Sequence, residues 1–366
     1  MSTKKYIDAE KGWIDSLLNE TPIVEGEKIS IEPVIDIDPE IEKEIALIQE
    51  SNLSEKIKEN PTNVELLLER VALNKSKNNL ESMLFDYKEV IRLDSLNSDF
   101  QFNIAEIYFE LSKKQNANPQ YPSLVKHHLE KSIKINDGNY HSHALMGELM
   151  MAYGAFNPKS YKQAIESFNT SLKIEYNQEK THMLLGYTFR QVGKENFAIN
   201  CFRNSINVNP DFYESYVQLG QIFHVKKDTL AVVYYNNALR INPTDELTLY
   251  NKALFYQDME QWNKALDAYA ELHKVVPFNS SGHYNLGFIH MILGLYDVAT
   301  NNFSDAIYSN SEFYEAYYSR GNCFETLGNV KQAEIDYSRA IEINPEYTFA
   351  IEALENLRTK NKKYNK

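Results

Sequence analysis

The stretch YSRGNCFETLGNVKQAEIDYSRAIEINP, residues 318–345, places its small and large side chains too regularly for a loop. Gly321, Gly328, Ala333, Tyr337, Ala340 and Pro345 mark the pattern, and it is too long for one helix with a single apolar stripe. The pattern recurs upstream. LGYTFRQVGKENFAINCFRNSINVNP, residues 185–210, keeps the spacing with Gly186, Gly193, Ala198, Phe202, Ser205 and Pro210. LGFIHMILGLYDVATNNFSDA, residues 286–306, keeps it with Gly287, Gly294, Ala299, Phe303 and Ala306, and Pro243 and Pro277 lie 34 residues apart. A fixed period of this length marks a stacked repeat architecture.

Each unit reads as two antiparallel helices, A and B. A small residue in mid helix A, such as Gly186, Gly220 or Gly321, lets helix B approach closely. Ala198, Ala231, Ala265, Ala299 and Ala333 do the same on helix B. Phe202, Tyr235, Tyr269, Phe303 and Tyr337 are expected to fill the space between neighbouring units. Pro210, Pro243, Pro277 and Pro345 end helix B, because proline disfavours helical conformation in the residue before it. Asn precedes three of these prolines, at 209, 242 and 344, as a helix-stop and turn pair.

The arrangement resembles the tetratricopeptide repeat family over roughly residues 64–347. Eight units start near 65, 98, 140, 179, 213, 246, 280 and 314. The resemblance implies an all-α, right-handed superhelical solenoid. Residues 348–366, apolar at Phe349, Ile351, Leu354 and Leu357 and then basic, read as a capping helix and tail. Unit one has Ala72 as its small residue, and unit five is one residue short at HVKKDTL. NANPQYP (116–122) and AYGAFNPKS (152–160) are insertions in inter-helix turns of units two and three. They read either as a second partner surface on one edge or as neutral loop growth. Around YYNNALRINP, 234–243, the sequence also resembles tetratricopeptide proteins of Bacteroidota-type bacteria, many of them envelope lipoproteins.

The 366-residue length does not count domains in a solenoid, which grows by repeats. Residues 1–63 read as an acidic, partly flexible lead, with helix expected at 7–18 and 40–59. Residues 1–50 hold thirteen acids against five lysines, so −8 of the net −13 lies there. Nucleic-acid binding needs clustered Lys and Arg, which are present only in the terminal KNKKYNK. No run of eighteen apolar residues suits a transmembrane helix. The start, Met1-Ser-Thr-Lys-Lys, fits a cytoplasmic protein. It equally fits a lipoprotein without its signal and acylated cysteine, held at the periplasmic face of the outer membrane. Any membrane attachment would then be through a lipid anchor absent from this chain. Cys201 and Cys323 read as small buried side chains.

No catalytic constellation, metal site or cofactor motif is found. G-x-S-x-G, a phosphate loop and H-E-x-x-H are missing. His127 and His128 are adjacent, His141 and His143 are two apart, and neither pair shares a helical face. His283 and His290 share one, but no Cys, Asp or Glu joins them at ligand spacing. All nine histidines therefore read as structural or surface groups.

The family resemblance implies that positions 2, 5, 6, 9, 12 and 13 of helix A line a concave groove. In the last units these columns hold Tyr250, Tyr284 and Tyr318, then Gln218, Asn251 and Asn285, then Gln221, Phe288 and Asn322. Asn and Gln spaced one repeat apart resemble the asparagine ladders that hold a peptide main chain in some members. The tyrosines would add rigid amphipathic contact area. The plain alternative is that these Asn are solvated polar residues. The Lys-Arg-Asn clamp of chaperone-tail binders is absent, since the matching positions hold only Lys180 and Arg190. The expected function is a non-enzymatic scaffold that binds an extended segment of a partner protein. The alternative is a structural subunit of an envelope assembly, packed through its convex face or edge.

Overall fold

The computed structural model describes residues 51–364, and among these every regular element is helical. The lead at 1–50 and the helix expected at 7–18 lie outside the described residues, as does most of the expected 40–59 helix; residues 51–59 are helical. Two compact units divide between Leu66 and Leu67.

Helix α1 (Val64–Ser76) runs across that division, and α2 (Leu80–Leu93) follows it. Then come α3 (Ser98–Ser112), α4 (Tyr121–Ile135), α5 (Tyr140–Gly154), α6 (Lys159–Ile174), α7 (Glu179–Gln191) and α8 (Glu195–Val208). The C-terminal half holds α9 (Tyr213–Val225), α10 (Leu230–Ile241), α11 (Glu246–Asp258), α12 (Trp262–Val275), α13 (Ser280–Ile292) and α14 (Tyr296–Ser309). It ends with α15 (Tyr314–Thr326), α16 (Val330–Ile343) and α17 (Thr348–Tyr364). Odd-numbered helices through α15 are the A helices, and even-numbered ones are the B helices. From α3 on, each A helix packs on the B helix that follows it, and α17 packs on α16, so the unit is an all-helical solenoid. Both insertions fall between the two helices of one unit, at 113–120 and 155–158.

Adjacent A helices touch directly at α3–α5, α5–α7, α9–α11 and α13–α15, and α15 touches the capping helix α17, whereas described B helices make no comparable contact with each other. Closer spacing in the A layer bends the stack, so the A helices line its inner, concave face. The core runs between the layers, as one cluster from Val71 to Phe255 and smaller ones around Tyr269, Phe303 and Tyr337.

The repeat signature has a physical cause. Ala198, Ala231, Ala265, Ala299 and Ala333 are fully buried, as are Phe202, Tyr235, Tyr269, Phe303 and Tyr337. A Cβ on Gly186 would stand 2.7 Å from the Phe202 ring, and one on Gly220 would stand 2.5 Å from Tyr235. Gly287 and Gly321 meet Phe303 and Tyr337 at 2.7 Å in the same way. This corrects the expectation for the aromatic column. Each ring lies on the glycine of its own A helix, so it fills the inside of a unit. Helix packing sets the axis distance by the side chains at the crossing, and glycine lets a ring occupy that crossing.

The Asn before Pro210 and Pro345 closes the turn between units. Asn209 Oδ1 accepts from the Asp211 amide at 3.0 Å and Asn344 Oδ1 from the Glu346 amide at 3.2 Å; Asn310, with Ser in place of the proline, accepts from the Glu312 amide at 3.1 Å. Asn side chains favour such turns because they mimic a backbone acceptor. The turn inside units four to eight takes one left-handed residue. Gly193, Gly294 and Gly328 supply it at φ +70°, +76° and +80°, and Lys227 and Glu260 take the same place at +53° and +54°. Cys201 and Cys323 are buried free thiols, and burial pushes them up to about 12 and about 11.

Candidate functional site: the inner face of the C-terminal helices

The A helices from α9 onward are joined by a row of side-chain hydrogen bonds. Tyr213 Oη lies 2.9 Å from Thr248 Oγ1. Asn285 Nδ2 donates to Tyr250 Oη at 3.1 Å, and Ser319 Oγ donates to Tyr284 Oη at 3.4 Å. Each bond spans 35 residues, from one A helix to the next. In the last two bonds a tyrosine at the fifth position meets the polar residue at the sixth position of the following unit, whereas Tyr213 and Thr248 stand at the first and third. Asn285 Nδ2 also donates to Tyr269 Oη at 2.8 Å, and Tyr269 Oη donates to Gln257 Oε1 at 2.9 Å. Burial pushes the Tyr269 hydroxyl well above the ordinary tyrosine range.

This row sorts the residues singled out in the sequence. Asn285 is 8 % exposed and commits both amide hydrogens to tyrosines, so toward a ligand it keeps only its Oδ1 acceptor. Gln218, also 8 % exposed, accepts from Arg190. Asn322 Oδ1 accepts from Tyr337 Oη at 2.7 Å. Asn251 is half-buried; residue 217, where its tyrosine would stand, is Val, and its amide makes no hydrogen bond among the described residues. Tyr318 closes the row, its ring against Tyr337 and Tyr347 and its hydroxyl without a hydrogen bond among the described residues. Tyr250, Tyr284, Phe288 and Gln221 are half-buried on the same side. The unspent Tyr318 was legible in the sequence, because residue 353, 35 residues on, is Ala; the unspent Asn251 was not, because residue 216, 35 residues back, is Tyr.

A second arrangement escaped the repeat pattern. The seventh position of helix A is Leu, Ile or Met in five units but Arg70 in the first, Lys252 in the sixth and Arg320 in the last. Arg320 Nε and Nη2 each donate to Asp336 at 2.8 Å, and Nη1 donates to Ser304 Oγ at 2.9 Å. Arg70 grips Asp86 in the same two-pronged way. Asp86 and Asp336 are 1 % and 3 % exposed. Inside the array the equivalent pair is apolar in unit four, Leu185 with Cys201, while unit six has Lys252 there, bound to Glu271 at 2.9 Å.

Five of the histidines make contacts that hold the helices and turns in place. His143, His182 and His283 share the fourth position of helix A, and each Nε2 donates to the carbonyl six residues earlier, at 3.0, 3.0 and 2.8 Å. His128 Nδ1 donates to Gln101 Oε1 at 2.9 Å. His273 stacks on His283 with centroids 3.8 Å apart, and its buried Nε2 has no hydrogen-bond partner. Among the described residues no three His, Cys, Asp or Glu gather as a metal site. Burial, then neighbouring positive charge, lowers His128 and His273 from 6.5 to about 4.

These groups are neutral when folded and protonate more readily when unfolded, so acid favours the unfolded chain. Their contribution to stability is complete above pH 6.5 and is lost as pH falls toward about 4. Thermal melting followed by circular dichroism should therefore drop steadily across that window. His273→Phe keeps the stacked ring and should visibly flatten the slope; an unchanged slope would remove His273 from this account.

No described helix is long and apolar enough to cross a membrane. Comparison with known proteins agrees with the architecture. The tetratricopeptide repeat family model matches residues 314–347, the unit formed by α15 and α16. Human tetratricopeptide repeat protein 6 is 24 % identical over 60 % of this chain and 35 % of its own length. The wheat Hsp70-Hsp90 organizing protein is 21 % identical over 74 % of this chain and 45 % of its own. The chain thus spans about a third to a half of the length of these curated relatives. Among solved structures, YrrB, a TPR protein with an unusual peptide-binding site, aligns at 17 % identity and a TM-score of 0.44. It covers 52 % of this chain and 99 % of its own. The family match is thus to one unit, and the chain is similar to these repeat proteins over the shares given.

Proposed function

We propose that the chain is a non-enzymatic interaction scaffold whose C-terminal inner face, from α9 to α17, holds an extended segment of a partner protein. Residues 64–347 would be the scaffold, 348–366 its cap and 1–63 an acidic lead. The observation that carries the reading is the half-exposed row Tyr250, Tyr284 and Tyr318, flanked by Asn251 with its amide unspent. Rigid aromatic rings bury much area at small entropic cost, and a free amide can pair with a peptide backbone. Phe288, Gln221 and the remaining acceptor of Asn285 border the same surface. Peptide and partner binding in the related proteins supports this reading of the fold.

A rival use, as a structural subunit packed through an edge, is favoured by Phe278 and Tyr308. These rings lie 6.2 Å apart and are 68 % and 80 % exposed. In a bacterial envelope that subunit could be lipid-anchored. A photoreactive phenylalanine analogue at position 284 or 308, introduced in the native cells, separates the two uses. The groove reading expects a discrete cross-linked adduct from 284 and none from 308. Adducts from 308 alone would transfer the function to the edge.

A further inference from the structure

We infer that the C-terminal end of this groove selects a cationic segment, seating a Lys or Arg side chain of the partner among Tyr284, Tyr314, Tyr318, Tyr347 and Phe349 beside Glu315. The inference rests on the groove reading above and gives its partner a chemistry.

The rings form walls at steep angles. Tyr347 meets Tyr314 at 4.9 Å and 68°, Tyr318 at 5.4 Å and 86°, and Phe349 at 5.7 Å and 62°. Tyr284 closes the neighbouring side against Phe313 at 5.0 Å. The tyrosines are only half-buried, and Phe349 is 61 % exposed, so ring surface remains open to solvent. Aromatic faces carry negative potential and attract ammonium and guanidinium groups. The electrostatics place the members in one neighbourhood. Tyr347 is pushed up to about 12, first by burial and then by Tyr284, Tyr318, Glu315 and Tyr314. The Glu315 carboxylate raises Tyr314 as well.

Charge selects the occupant. From α11 to α17 the inward-facing columns carry Asp258, Glu315, Glu325 and Glu352. Among the described residues the one cation in those columns is Lys360, and it already lies on Glu325 at 2.9 Å. An acidic segment would meet carboxylates with no cation left to receive it. A basic one gains attraction on approach and ring faces on arrival.

The test uses the full chain and three fluorescein-labelled twelve-residue probes, (Gly-Ser-Arg)4, (Gly-Ser-Gln)4 and (Gly-Ser-Glu)4, read by anisotropy at low salt. The arginine probe is expected to bind at least tenfold more tightly than the glutamine probe, and the glutamate probe not at all. Tyr318→Leu and Glu315→Gln should each weaken the arginine probe about tenfold. Tyr318→Phe, which keeps the ring face and loses a hydroxyl with no partner, should bind as wild type. Equal binding of the arginine and glutamine probes, lost in Tyr318→Leu, would sink the charge selection and leave the groove standing. Arginine binding indifferent to both variants would assign it to acidic surface elsewhere and overturn the site. Failure of all three probes also overturns it.

Discussion

Asp336→Ala is expected to lower the stability of the C-terminal units by about 3–5 kcal/mol, the cost of leaving one partner of a buried ion pair uncompensated. The carboxylate is 3 % exposed and takes two hydrogen bonds from Arg320. Once it is gone, the guanidinium keeps Ser304 Oγ and the faces of Tyr317 and Phe324, at 5.6 and 5.8 Å, but no countercharge. The chain itself supplies the rescue. Unit four has Leu185 and Cys201 where unit eight has Arg320 and Asp336. Arg320→Leu with Asp336→Ala should therefore return to within about 1 kcal/mol of wild type, since replacing both partners of a buried pair by apolar groups is often neutral. In a linear array such a loss is local, so α15 to α17 should unfold first. Hydrogen exchange should find fast amides in those helices and unchanged protection in α7 to α10. A double variant no better than Asp336→Ala would mean that the pair does more than balance its own charge.

The repeat was legible because its determinants are one residue deep. Gly186, Ala198, Phe202 and Pro210 each act through volume or backbone at a single place, and the same need recurs every unit. The A-helix starts at 98, 140, 179, 213, 246, 280 and 314 coincide with the sequence reading for the same reason. The role of the aromatic column was misread because a period shows that ring and glycine are coupled without showing which unit supplies each. The inner face was legible by column, and its chemistry was not. Whether Asn285 is free or spent depends on Tyr250 and Tyr269, one on the preceding A helix and one on the preceding B helix. Single-unit reasoning treats Asn251 and Asn285 as equivalent; the fold leaves only Asn251 with an unspent amide. The ion pairs at Arg70 and Arg320 were overlooked because a consensus averages over units, and both pairs stand where the columns depart from it.

Gly220→Val should be the most disruptive single change in mid-array. A Cβ at Gly220 would meet Tyr235 Cε1 at 2.5 Å and Cδ1 at 2.6 Å. Tyr235 is fully buried, and the neighbouring residues Ala231 and Ala238 are as well, so the ring has nowhere to retreat without moving a helix. Overpacking of this kind costs about 1–3 kcal/mol, and a β-branched residue belongs at its upper end, well beyond the few tenths gained by removing a helical glycine. Unit six calibrates the smaller step. Ala253 stands at the glycine position there, under a fully buried Tyr269. One methyl group can therefore be absorbed by a shifted ring, and Gly220→Ala should cost about 1 kcal/mol or less. The decisive comparison is Gly220→Val with Tyr235→Leu, which removes the atoms in collision. Urea unfolding followed by circular dichroism should find the double variant more stable than Gly220→Val alone, a coupling that independent sites do not have. The position also predicts the form of the transition. Unit five joins two halves of a one-dimensional array, so weakening it should split one cooperative unfolding step into two. A single step of undiminished slope, with no rescue by Tyr235→Leu, would show that the ring-on-glycine contact does not hold the units together.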